Sequence, residues 1–515
     1  MELLLMVVLC LVQPLILTNK YSNVTVTKYV VISLWAITLF LYVAFKRYRE
    51  WLQATDGKVG FGGLMQTLMG ELYVSDYCML GYLVMNLISW LASEDIAYSF
   101  VAAEDKHMGF YWVIITALLY TGVRLVRKPK LQVLGFLLAV GLSAVVLFAL
   151  TQFLGGDPFS LCANLYEEQR HNFVSTLGNT GLYGRYVTAI GAVIAWFYID
   201  YDWKLWQRIV LGISLVLVPC GLMSSNTDAT MLGMIIVYFG LLVASLCAGR
   251  GRYYLETLVL SCAGVLVFTA LYRNLKKILT VYPMFRFGRL IMQYWPVMLG
   301  VMIILILLRV LVAVFRHRRT GESTDESSAN TKGRRIESRI AHILVHLASL
   351  ACVLILAAMI YFSAINTTAD LGTLGDYLRF TKSWGTERGY VWTWVTEIFL
   401  GGNLKQQLIG FGQGMVPVTL SDQYLSTMLS ELGYIFDNAH NVYLHQLINI
   451  GVIGVTVYLG FLIMSLRRLF CDEKKYGFAV ALLALMIMDL VSIAEPVTWP
   501  LLFILSGISW EKTEA

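Results

Sequence analysis

The sequence predicts an all-α polytopic membrane protein of about 14 transmembrane helices (12–14), with a large outer loop before the last three helices. Three observations carry this expectation. Only 14% of the 515 residues are charged and 58% are hydrophobic, with a mean hydropathy of +0.68; soluble domains carry roughly 25% charged residues. Apolar runs long enough to cross about 30 Å of hydrocarbon recur along the chain, and they are continuous where barrel strands would alternate. Basic residues fall in every second connection, the pattern of the positive-inside rule. The net charge of +6 is spread over those short loops and does not point to nucleic acid.

In chain order the runs lie near 2–18, 28–45, 73–93, 108–124, 131–152, 181–200, 208–223, 229–248, 253–272, 294–313, 341–363, 442–466, 477–494 and 498–511. The first, MELLLMVVLCLVQPLIL, lacks a basic n-region and an A-x-A cleavage site, so it reads as a retained span. Most of the eight cysteines sit inside apolar runs and no two form CxxC, which favours packing over disulfides or metal ligation.

With both termini cytoplasmic, the inner loops hold Lys46–Arg47–Arg49, Arg124–Arg127–Lys128–Lys130, Lys204 with Arg208, Arg250 with Arg252, and Arg467–Arg468. Parity then puts residues 153–180 and 364–440 outside. One outer loop, 273–293, breaks the pattern with Arg273, Lys276, Lys277, Arg286 and Arg289; it is an anion site or a case of interfacial snorkelling. Residues 316–339 are polar and Ser/Thr-rich and read as a flexible cytoplasmic basic linker. It separates a ten-helix part (1–315) from a four-helix part (340–515).

Polar residues concentrate between Glu387 and Leu459. Arg388 heads the aromatic stretch GYVWTWVTEIF, whose Trp392 and Trp394 mark a membrane interface. The plainer reading is a surface arginine paired with Glu387 or a lipid phosphate. GFGQG at 410–414 is a turn whose backbone N–H groups could approach a phosphate, or simply a loop. His440 precedes Asn441 and an apolar run, so it lies where a span begins on the outer side; it could instead only help cap that helix. His445, five residues on, points to a different face, which argues against a two-histidine metal site. Asn179 opens another span in GNTGLYGR, where an Asn cap is the plain reading.

ATP and nucleotide sugars are absent outside a cytoplasmic membrane, so glycosyl transfer there needs a donor already activated on a lipid carrier. A lipid-linked pyrophosphate sugar calls for a cation to hold the pyrophosphate and a base for the acceptor hydroxyl. Arginine suits the first task by its planar, permanently charged fork. Histidine suits the second by its pKa of about 6.5.

The order Gly178–Asn179, Arg388-x-x-x-Trp392, Gly410-x-Gly412-x-Gly414, His440–Asn441-x-x-Leu444 and Gly451-x-x-Gly454 resembles the O-antigen ligase and polysaccharide polymerase superfamily, over roughly residues 170–465. The resemblance implies a cofactor- and metal-independent, inverting glycosyltransferase of the bacterial cytoplasmic (inner) membrane. Its donor would be an undecaprenyl-pyrophosphate-linked glycan and its acceptor a glycan or lipid-linked hydroxyl. By carry-over Arg388 would hold the pyrophosphate, with Gly412 and Gly414 near the donor, and His440 would activate the acceptor. Asn179, Trp392 and Asn441 would support them. The Ser-Arg-Gly-Ala-like turn of the family corresponds here to SSNTDATMLG (224–233), with Thr227 and Asp228 where the arginine would fall. Arg185, Arg286 and Arg289 are the candidates to replace it. Ligase and polymerase need the same donor site and stay open. A lipid-linked sugar flippase is the alternative of another class. A cell-wall glycan polymerase of the shape-and-division type, relying on Asp422 or Asp437, is a further one.

Overall fold

The computed structural model describes residues 1–55, 69–102, 106–127, 129–275, 284–320 and 326–509, almost all of their regular structure helical. The first half comprises α1 (Glu2–Leu15), α2 (Val24–Ala54), α3 (Val74–Leu91), α4 (Ile96–Val101), α5 (Phe110–Arg124), α6 (Leu131–Phe153), α7 (Thr180–Asp200), α8 (Leu205–Ser224), α9 (Asp228–Cys247) and α10 (Gly251–Leu275). The second half comprises α11 (Arg286–Gln293), α12 (Trp295–Thr320), α13 (Glu326–Ile360), α14 (Gly375–Leu378), α15 (Trp384–Gly401), α16 (Leu404–Ile409), α17 (Val416–Glu431), α18 (Val442–Phe470), α19 (Tyr476–Met488) and α20 (Trp499–Gly507). A two-residue antiparallel pair, Phe173–Val174 with Gly178–Asn179, closes the 153–180 loop.

Ten of these helices are long and apolar enough to cross a membrane, and the chain is a multi-pass membrane protein. The expected count of 14 does not appear as fourteen full spans among the described residues. α1 and α5 are shorter apolar helices. α19 and α20 cover only parts of the runs expected at 477–494 and 498–511. The 13 residues of α19 rise about 20 Å, and most of its side chains are buried. A helix wrapped in protein need not match the thickness of the lipid.

α7 is the axis of the bundle: its span is 100% buried and it packs against α6, α8, α9 and α19. Around this centre α3 lies along α18, and α5 lies between α2 and α20. The opposite case is α12 and α13, which lean on α10 and α9 and whose span windows are 0% buried. Their Leu, Ile and Val side chains face outward, as they must in lipid. The stretch expected to be a flexible linker is helical on both sides of 321–325, which lie outside the described residues: α12 runs to Thr320 and α13 starts at Glu326.

The loops gather at two ends. At one, Arg47 and Arg127 both reach Glu71, while Arg124 and Arg468 share Asp76. These arginines come from the basic clusters that alternation assigned to a single side. At the other end lie Lys106, Asn179, Asp228, Arg388, His440 and Glu495.

Candidate functional site

Arg388 is presented by an irregular helix start. Gly385, Thr386 and Glu387 take φ of 62°, 61° and 66° before α15 becomes regular. Left-handed backbone is costly for non-glycine residues, most of all a β-branched threonine. The arrangement is held from several sides. The Arg388 Nη1 donates to the Gly385 carbonyl at 2.8 Å, and the Tyr434 hydroxyl donates to the Glu387 carboxylate. Trp392 stacks into a cluster with Trp384 (5.1 Å between centroids) and Phe380 (6.1 Å). Gly389 lets the turn close, since a Cβ there would lie 1.9 Å from the Thr381 carbonyl oxygen.

The Arg388 side chain is half-buried, its Nε is buried without a hydrogen-bond partner, and it makes no ion pair among the described residues. Burial lowers its guanidinium from the ordinary value and the nearby Asp228 opposes that. Asp228 compensates this charge only from a distance, without an ion pair.

His440 ends the loop before α18, itself left-handed at φ 48°. Two asparagines frame it. The His440 N–H donates to Asn438 Oδ1 at 3.0 Å, and Asn441 caps α18 by accepting from the N–H groups of Tyr443 (3.0 Å) and Leu444 (3.1 Å). The imidazole stands edge-on to Phe436 at 5.5 Å. Burial first, then the Arg388 charge, pushes it down from 6.5 to about 4, with Asp437 acting in the other direction. His440 is therefore neutral at ordinary pH and within electrostatic reach of Arg388, 52 residues earlier in the chain.

Lys106 completes the cluster, its Nζ lying 2.9 Å from Glu495 and 3.4 Å from Asp437. A small cleft is lined by Lys106, Gly414, Asp437, Asn438 and His445. His445 lines this cleft with Lys106 and Asp437; it is buried, with Nδ1 unpartnered.

The structure corrects two sets of expectations. The Gly412 N–H expected to approach a phosphate is engaged within the protein. α18 is broken at Gly451 (φ 66°, ψ −177°), and the 410–414 turn plugs the break: the N–H groups of Phe411 and Gly412 donate to the Ile448 and Asn449 carbonyls at 2.8 and 3.2 Å. The contact is so close that a Cβ on Gly410 would lie 2.2 Å from the Asn449 oxygen. Gly412 and Gly414 pack against Ser93 and Ala102 in the same way. Arg185 likewise is not a free cation at the end carrying Arg388. It is fully buried in α7 and bonded to Asp489 at the end of α19.

Arg289 is exposed on α11, and the Arg286 side chain lies outside the described residues. The segment before α11 is tied to the candidate site's end of the molecule, since the Phe285 N–H donates to Asn226 Oδ1 at 2.8 Å, two residues before Asp228. Asn179 is the cap of α7, accepting from Gly181 and Leu182 N–H groups at 2.8 and 3.3 Å.

Sequence reasoning missed Lys106, Glu495 and Asp489. Asp489 stood alone in an apolar run, as Arg185 did in another, and an isolated charge in a span requires a partner. That rule alone could have paired them. Lys106 and Glu495 lie in short connections, with no comparable signal. No family model matches the chain and no curated protein matches it.

Proposed function

We propose that the protein is a membrane glycosyltransferase that moves a glycan from an undecaprenyl-pyrophosphate donor to an acceptor hydroxyl at the membrane face carrying Arg388 and His440. The observation that carries the reading is the neutral His440 beside an arginine that makes no ion pair among the described residues. Arg388 holds the donor pyrophosphate. The acceptor oxygen attacks the anomeric carbon from the side opposite the leaving group, and its proton passes to the His440 imidazole. The anomeric C–O bond breaks with its electron pair on the phosphate oxygen, and the configuration inverts.

The electrostatics suit this sequence of events. A base held near 4 is weak, and a general base works best near the operating pH. The pyrophosphate charge offsets Arg388, which depresses His440, so donor binding raises the basicity of His440 when a base is needed. The alternation of basic loops supports an outer-face location for the site, and the family resemblance supports a bacterial cytoplasmic membrane. Ligase and polymerase differ only in the acceptor. Reconstitution with a single lipid-linked substrate separates them, because polymerisation needs no second acceptor.

The experiment is transfer by His440→Ala in liposomes with donor binding measured in parallel. Transfer falls about 10²–10⁴-fold, the usual weight of a general base, with donor still bound; transfer near the wild-type rate would refute the assignment.

One observation favours a second reading, a lipid-linked sugar flippase. α18 is broken within its span, and Gln413, Gln446 and Asn449 are buried with unpartnered side-chain amides near the break, a device transporters use at their binding sites. Against it, the carbonyls released at the break are occupied by the 410–414 turn. A flippase would keep moving donor across liposomes in His440→Ala, and a transferase would not make product.

A further inference from the structure

A large cavity of about 400 Å³ lies away from Arg388 and His440, reaching into the bundle from the end where Arg47 and Arg127 meet Glu71. That volume falls in the range of small-molecule sites, about 300–1,000 Å³. Its walls are apolar, formed by Leu9, Trp35, Leu138, Ile190 and Leu505 from five helices. At its lip stand Glu2, Lys46, Arg47, Glu50 and Arg127, charges of both signs. Deep inside, Tyr186 is 3% exposed and its hydroxyl has no hydrogen-bond partner. The α1 wall carries a π-helical turn at Val8–Val12 just before Pro14, a local widening of a kind common at binding sites.

The dimensions narrow the choice of ligand. Glu50 at the lip and Trp35 in the wall are both on α2 and lie about 22 Å apart along its axis at 1.5 Å per residue. An apolar shaft of that depth suits a hydrocarbon chain. The lip sits at an end of the spans, where headgroups lie. Two of its pairs are exposed and so exchangeable, Lys46 with Glu2 (47% and 38% exposed) and Arg127 with Glu71 (40% and 37%).

We infer that this cavity binds one membrane phospholipid with an amine-bearing headgroup. One acyl chain fills the shaft, the phosphate meets Lys46 and Arg127, and the ammonium meets Glu2 and Glu50. A glycerol-headed anionic lipid would satisfy the bases and leave both carboxylates facing a like charge. The site is separate from the proposed transfer chemistry and does not rest on it.

The test is lipid retention by the full-length protein, reconstituted in vesicles of equal phosphatidylethanolamine and phosphatidylglycerol, re-extracted and weighed by native mass spectrometry. One phosphatidylethanolamine stays bound per protein. Retention falls about tenfold or more in Lys46→Gln/Arg127→Gln, as expected when charge-assisted hydrogen bonds are lost, and disappears in Ile190→Trp, which fills the shaft. Lys46 and Arg127 are 47% and 40% exposed, so the double variant reads binding even where the tryptophan variant fails to fold. Equal retention of both lipids would overturn the headgroup assignment, and unchanged retention in the double variant would overturn the site.

Discussion

The two ends of the bundle carry similar residues in opposite conditions. At one end Arg124 and Arg468 share Asp76, Arg47 and Arg127 share Glu71, and Arg468 also donates to the Ser506 carbonyl. The least exposed of them, Arg47, Arg124 and Arg468, are spent on those partners and fasten helices together. At the other end Arg388 has no ion pair among the described residues and His440 is held neutral beside it. A charge without an ion pair in a half-buried place costs stability, so Arg388 stands apart from the fastening role of Arg47, Arg124 and Arg468. Arg185 and Asp489 show the fastening logic again in the interior, where each would be intolerable alone.

Substitutions can break this contrast, and the largest effect belongs to the unpaired end. Arg388→Lys keeps the charge but loses the bidentate fork. Transfer falls about 10²–10³-fold, the scale of losing one oriented donor at a reacting charge, and donor binding weakens while membrane insertion is normal. Unchanged turnover would return Arg388 to an interfacial role. Next in size is Arg185→Met, which strands a buried carboxylate. It destabilises the protein by about 3–5 kcal/mol in thermal unfolding, and adding Asp489→Leu restores most of the loss. Should the double variant be no better than the single one, the pair is not the fastener described here. Asp76→Asn, at the paired end, costs about 1–3 kcal/mol and leaves the pH dependence of transfer where it was. A shift in that dependence would mean that the two ends are coupled.

Much of this contrast was legible beforehand. Continuous apolar runs gave the helices, because a bilayer leaves the backbone no other partner. Alternation of basic loops gave the grouping of Arg47, Arg124 and Arg468 at one end. His440 and Arg388 stood out as polar groups beside spans, and the structure brings them into electrostatic reach. The rest was hidden for physical reasons. Whether α19 and α20 must span the lipid depends on what surrounds them, which is tertiary information. A glycine-rich turn looks the same whether its N–H groups await a phosphate or, as in 410–414, plug a broken helix. The Lys106–Glu495 pair joins residues 389 apart, beyond any local signal.

Acidity sharpens the comparison further. His440 sits below its unfolded value, so the folded state binds fewer protons between about 6.5 and about 4. Stability from this site is complete above about 6.5 and declines as pH falls through that window.

The same histidine provides the most direct measurement, the pH dependence of transfer in the reconstituted wild-type protein. The acid limb of kcat/KM reports the free enzyme and that of kcat the donor complex. With His440 as the base beside Arg388, the kcat/KM limb falls near pH 4, and the kcat limb lies higher because bound pyrophosphate offsets the arginine. Two limbs coinciding near 6.5 would contradict the account, since His440 would then be neither buried beside Arg388 nor sensitive to what Arg388 binds.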